Sequence, residues 1–238
     1  MANNKLHLIL SLSMFCLIGL NCANADTGND YYVGARGAYL TAQNRHQPAI
    51  YTGINATNGF GAVLTETFDA GKMDQLKSEA AELEMWYPYL RPSEDWILHV
   101  GSLADSFAAG SNGGIYTGAT YLIDKTQNVM FRYRFNYQNF DTLNASNELK
   151  RYYAHMFVLT YSWDITEKLN YYFESEYYIA LNDFRQANGK KTSGELHSQL
   201  SYKIDKHWQP YVEIAWLDRN ISCNAEEYRV RWGINYHF

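Results

Sequence analysis

Arg132 and Arg134 stand two residues apart, as do Arg229 and Arg231, while Arg36 stands alone near the start of the chain. A guanidinium stays charged at any physiological pH and grips a carboxylate through two parallel hydrogen bonds, so paired arginines suit the binding of acidic groups. Acids repeat the spacing, at Glu82 with Glu84 and at Glu174 with Glu176. Residues two apart share a face on a strand and diverge on a helix. Two carboxylates on one face suggest either glycoside hydrolysis or the lining of a wet surface. A nucleophile needs a base within hydrogen-bond reach, and His155 with Ser175 is the one candidate pair. No metal-ligand cluster or phosphate-binding loop is visible. The sequence therefore implies no catalytic residue, no metal and no cofactor.

These side chains need strands to hold them. Val129, Phe131, Tyr133, Phe135 and Tyr137 alternate with Met130, Arg132, Arg134, Asn136 and Gln138. A strand sends the first set to one side and the mostly polar second set to the other. The same period runs through 169–179, 195–204, 209–216 and 228–238, and twelve such segments can be counted. Short turns are expected at 91–95, 124–128, 164–168 and 205–207. Longer polar loops are expected at 41–47, 69–77, 105–113, 141–150, 183–193 and 219–225. An even number of strands with turns and loops in alternation is the layout of an outer-membrane barrel, with its turns in the periplasm.

Composition agrees. The chain has 238 residues, including 21 Tyr, 11 Phe and 6 Trp. Trp96, Trp163, Trp208 and Tyr87 cluster near strand ends, where amphipathic rings favour the headgroup zone. A soluble sandwich would pack Val, Ile and Leu with fewer tyrosines. Residues 1–25 read as a secretory leader: Lys5, an apolar core from Leu8 to Leu20, and Ala23-Asn24-Ala25 before the cut. Residues 26–238 form the barrel. Cys223 is then the sole cysteine, so an intrachain disulfide is excluded. A net charge of −5 argues against nucleic-acid binding.

Taking the polar parity of each strand as inward puts Arg36 on strand 1 and Arg229 and Arg231 on strand 12, which adjoin where the barrel closes. Arg132 and Arg134 fall on strand 7, diametrically opposite. Between these basic tracks lie Glu82 and Glu84 on strand 4 and Glu174 and Glu176 on strand 9, either bracing the arginines or cancelling their field. His99 and Lys203 are expected inward, with His197 and His237 as lesser candidates. Arg185, Lys190 and Lys191 would form a basic funnel at the mouth or a solvated loop. Phe238 ends an apolar alternation and looks like the signal that the outer-membrane assembly machinery reads.

Three stretches carry a family resemblance: Asn182-Asp183-Phe184-Arg185-Gln186-Ala187-Asn188-Gly189-Lys190-Lys191, Pro210-Tyr211-Val212-Glu213 continuing to Leu217-Asp218-Arg219, and Tyr228-Arg229-Val230. The chain resembles the oligogalacturonate-specific porins, which include the sialic-acid-inducible channel. The resemblance implies a monomeric twelve-stranded barrel in the outer membrane of a Gram-negative bacterium. It implies passive conduction of acidic oligosaccharides or acidic sugars, with arginine tracks on opposite walls binding their carboxylates. The other partners are the bilayer, lipopolysaccharide and the assembly machinery. The alternatives are a general small-solute porin without strong anion selectivity, and a non-conducting barrel acting as adhesin or enzyme.

Overall fold

The structure, a computed structural model, describes residues 28–70, 76–108, 110–140, 151–186, 188–220 and 225–238. The leader expected at 1–25, the loop at 141–150 and Cys223 lie outside the described residues. Twelve strands form the wall: β1 (Asp30–Leu40), β2 (Arg45–His46 and Ala49–Asn55), β3 (Gly61–Asp69), β4 (Lys77–Leu90), β5 (Trp96–Phe107), β6 (Gly110–Leu122), β7 (Gln127–Phe140), β8 (Arg151–Asp164), β9 (Leu169–Ala180), β10 (Thr192–Tyr202), β11 (Trp208–Asn220) and β12 (Ala225–His237). The two pieces of β2 count as one strand because both pair with β1, and Ala38 and Gln47 exchange backbone bonds between them. The break falls at Pro48, which has no N–H to give to the ladder.

Every strand pairs antiparallel with its neighbour in sequence, and the ring closes between β1 and β12, from Tyr32 opposite His237 to Leu40 opposite Arg229. Full closure leaves no unpaired edge, the condition for a sheet to cross hydrocarbon.

The gaps at the terminal-bearing end, where β1 begins and β12 finishes, span 56–60, 91–95, 123–126, 165–168 and 203–207. They are closed by local caps. Asp124 accepts from Thr126 and Gln127, and Asp205 from His207 and Trp208. Those bonds hold both carboxyls below the usual range, the Thr126 side chain contributing most at Asp124 and the Trp208 N–H most at Asp205.

At the other end the gaps are uneven. Only 141–150 and 181–191 are long, and two sequence expectations change. The stretch 105–113 is no loop: β5 runs to Phe107 and β6 begins at Gly110, with Asp105 facing Asn112 across the hairpin. Asp105 and Asn112 face the lumen. Lys203 has the inward parity of β10, but that strand ends at Tyr202, and Lys203 sits exposed in the turn. It is not part of the lumen wall.

The outward face is apolar, with Ile115 69%, Val212 56% and Ile214 64% exposed. Near the terminal-bearing end it carries a ring of aromatics. Trp96 lies 5.0 Å from Tyr121, and Trp208 lies 4.8 Å from Tyr236, which in turn meets Phe238. Such a girdle marks a membrane–water interface. Along β11, the outward residues from Trp208 to Trp216 span about 27 Å of strand, or roughly 21 Å of height at a ~40° tilt, close to the apolar band of such barrels. Ile214→Arg should therefore cost about 2–4 kcal/mol of folding into lipid. The urea midpoint for refolding into vesicles reads this, and an unchanged midpoint would place Ile214 outside the hydrocarbon.

Seven glycines sit directly across a ladder from a ring that fills the space a Cβ would take. The pairs are Gly34–Tyr51, Gly53–Tyr32, Gly61–Trp86, Gly101–Tyr116, Gly118–His99, Gly233–Tyr211 and, facing lipid, Gly37–Trp232. Each ring leans along the wall instead of projecting from it. The aromatic thus stiffens a strand that glycine would otherwise weaken, and the six inward pairs keep the bore open.

Candidate functional site

Alternation on each strand delivers the inward set, and the lumen they enclose is a run of connected chambers. Two, each about 540 Å³, share Glu82, Asp105, Gln138, Tyr172, Glu174 and Glu176. A third, about 430 Å³, shares Arg36, Glu82 and Arg231 with the second. All five expected arginines line these chambers: Arg36 on β1 with Arg229 and Arg231 on β12, and Arg132 with Arg134 on β7. Glu82, Glu84, Glu174 and Glu176 line them too, and His99 lines a fourth chamber toward the terminal-bearing end.

Three of the five arginines are held in ion pairs. Arg132 Nη1 is 2.9 Å from Glu84 Oε1, and the guanidinium lies 4.9 Å from the centroid of the Tyr116 ring. Arg229 and Arg231 share one carboxylate, Glu213, at 2.9 and 3.0 Å. By contrast, Arg36 and Arg134 have no carboxylate within 4.0 Å among the described residues. Glu213 has the inward parity of β11, and it joins Glu79, Asp105 and Glu195 as lining acids that were not among the residues expected from the sequence. The chambers are thus lined by eight carboxylates, Glu79, Glu82, Glu84, Asp105, Glu174, Glu176, Glu195 and Glu213, against five arginines. Around the ring the signs alternate: basic at β12–β1, acidic at β9–β10, basic at β7, acidic at β4–β5.

His197, a lesser candidate, proves central. Its ring sits between Glu195 at 3.3 Å and Glu213 at 3.7 Å, and Arg229 approaches its Nδ1 at 3.1 Å. Ligand atoms of Glu174, Glu176 and His197 lie within 4.8 Å of one another. Two strands, β9 and β10, bring that group together, so no spacing in the sequence announces it. His237 holds Asp30 at 2.8 Å near the terminal-bearing end.

The mouth residues separate. The 181–191 loop packs Phe184 on Tyr152 at 4.5 Å between centroids, and Tyr152 lines a lumen chamber, so the loop is anchored to the inner wall. Within it Arg185 and Lys190 are exposed, whereas Lys191 is paired with Asp183 at 2.9 Å. The candidate pair His155 and Ser175 does not meet. His155 lies opposite Ile179, Ser175 opposite Leu159, and His155 Nδ1 is bonded to the Tyr133 hydroxyl at 2.7 Å. Ser175 is therefore not the partner of His155.

A family model described as oligogalacturonate-specific porin protein matches residues 25–238, the whole barrel. The chain belongs to this porin family. Among relatives of these porins, the N-acetylneuraminic acid outer membrane channel protein NanC of Escherichia coli K12 is 23% identical over 209 residues, covering 84% of this chain and 87% of that one. The oligogalacturonate-specific porin KdgM of Dickeya dadantii is 22% identical over 219 residues, covering 83% and 87%. The solved NanC structure matches with a TM-score of 0.75 at 21% identity over 86% of this chain and 98% of that one. The KdgM porin in complex with disordered oligogalacturonate matches at 0.64 and 19% identity, over 87% and 99%. The porin fold and outer-membrane location expected from the sequence agree with these matches.

Proposed function

We propose that, once its leader is removed, this porin passes acidic oligosaccharides or acidic sugars by passive diffusion. In this reading the arginines of β1–β12 and of β7 bind substrate carboxylates. The observation that supports it best is their placement on opposite walls of connected chambers. Arg36 and Arg134, which lack a carboxylate within 4.0 Å among the described residues, engage substrate first. Arg132, Arg229 and Arg231 act within ion pairs that hold their geometry. The names of two relatives, one a channel for N-acetylneuraminic acid and one specific for oligogalacturonate, point to the same substrate class. A low-dielectric wall focuses the arginine field on a passing anion.

The barrel works as a monomer and catalyses no reaction. Its final strand, ending on Phe238, engages the assembly machinery, and its outer face meets lipid and lipopolysaccharide. Arg185 and Lys190 draw anions to the mouth.

One observation favours a second reading, a small-solute pore of weak selectivity: the eight lining carboxylates against five arginines. Single-channel conductance in a planar bilayer separates the two. Under a salt gradient the first reading gives an anion-selective zero-current potential and block by trigalacturonate or sialic acid. Open steps without anion preference or block would leave the arginines as braces. Silence from folded protein would remove both readings.

A further inference from the structure

Five of the six tryptophans, at 96, 163, 208, 216 and 232, follow the outward parity of their strands, where lipid gives an indole its advantage. Trp86 does not. It shares a face of β4 with Glu82 and Glu84 and lines a chamber of about 420 Å³ toward the terminal-bearing end. A half-buried indole in a wet bore calls for a reason.

Packing explains part of it. The ring rests against Gly61, its direct cross-strand partner, in the space a Cβ would take. One face is therefore backed by the wall and the other is turned to the chamber. The other inward rings that back a glycine are Tyr or His. Tyr116, for example, donates its hydroxyl to the Met85 carbonyl at 3.2 Å. The Trp86 indole N–H has no hydrogen-bond partner among the described residues. Beside the indole stand Pro88 and Met130, which extend the apolar floor, and Arg132 with Glu84, which supply donors and acceptors at its rim.

We propose that this chamber is a stacking subsite for a pyranose ring, with Trp86 as its platform. A pyranose has an apolar C–H face and an edge of hydroxyls. The C–H face suits the negative face of an aromatic ring, and the hydroxyls suit the Arg132–Glu84 pair and the indole N–H. Pockets of this make-up, apolar with a few placed polar groups, are what small ligands select. The subsite reads the sugar ring, whereas the arginine tracks read its charge. It rests on the channel reading and adds ring recognition to it.

The test uses the full barrel with a neutral trisaccharide, cellotriose, and an acidic one, trigalacturonate. In bilayers, Trp86→Ala shortens the blocking dwell time of both by roughly tenfold, a factor equal to about 1.4 kcal/mol. Trp86→Phe restores most of it, and the zero-current potential stays unchanged because no charge is altered. Equal dwell times in wild type and Trp86→Ala overturn the proposal. So does block by trigalacturonate alone that is insensitive to the substitution. If the wild type does not conduct, the channel reading fails while stacking remains measurable: cellotriose quenches tryptophan fluorescence of the detergent-folded protein, and Trp86→Phe abolishes the quench. A quench retained in Trp86→Phe, or none in wild type, overturns the subsite.

Discussion

Glu213→Gln is expected to lower the folding stability of the barrel by about 3 kcal/mol and to raise its preference for anions at the same time. The carboxylate is 7% exposed and holds Arg229 and Arg231 at 2.9 and 3.0 Å. Removing one member of a buried ionic group costs more than the group itself contributes, because the surviving charges stay desolvated and unpaired, typically at about 3–5 kcal/mol. Lumen water places the expected value at the lower end. Two guanidiniums with a histidine alongside would then repel one another across a few ångströms. The same change frees both arginines for a passing carboxylate. The urea midpoint of folding into vesicles should fall while the zero-current potential moves toward the anion limit. A variant with both quantities unchanged would show that Glu213 neither braces nor masks the arginines.

The double variant Arg132→Ala/Arg134→Ala should move selectivity the other way. Arg134 has no carboxylate within 4.0 Å among the described residues, and Arg132 balances Glu84 at 2.9 Å. Without them, β7 loses its positive charge and faces acids on both sides. A unit charge about 4 Å from an ion is worth roughly 1 kcal/mol in water and ~4 at an effective dielectric near 20. Two such losses should reduce the anion-to-cation permeability ratio at least about tenfold. Folding should change little, since the Glu84 side chain is 21% exposed and solvated by the bore. An unchanged permeability ratio would mean that β7 does not face the permeating ion.

The barrel was legible because alternation carries its own register on each strand. Arg132 and Arg134 had to face one way once Phe131 and Tyr133 faced the other. Failures came where polarity was read as loop. Asp105 and Asn112 are strand residues whose polar side chains face water inside the barrel, and alternation alone does not separate that from a turn. Lys203 had the right parity and the wrong length of strand. Glu213 was hidden for another reason. Counting back from the pairs beside the 221–224 loop sets it opposite Trp232, across the wall. The bulge between Trp216 and Arg219, with Asp218 at φ 58°, moves it opposite Arg231. One extra residue decides whether that acid meets an arginine, and such insertions leave no periodic trace.

The β1–β12 seam has a consequence for biogenesis. Tyr32 pairs opposite His237, so the contact that completes the ring joins the first strand to the last. Until it forms, every partial assembly ends in two rows of bare amides and carbonyls, a template for the wrong neighbour. Contacts so distant in sequence are slow to find by diffusion. Release into the membrane must therefore wait for the last strand, and a chain interrupted anywhere before residue 225 yields an open curl that hydrocarbon will not accept.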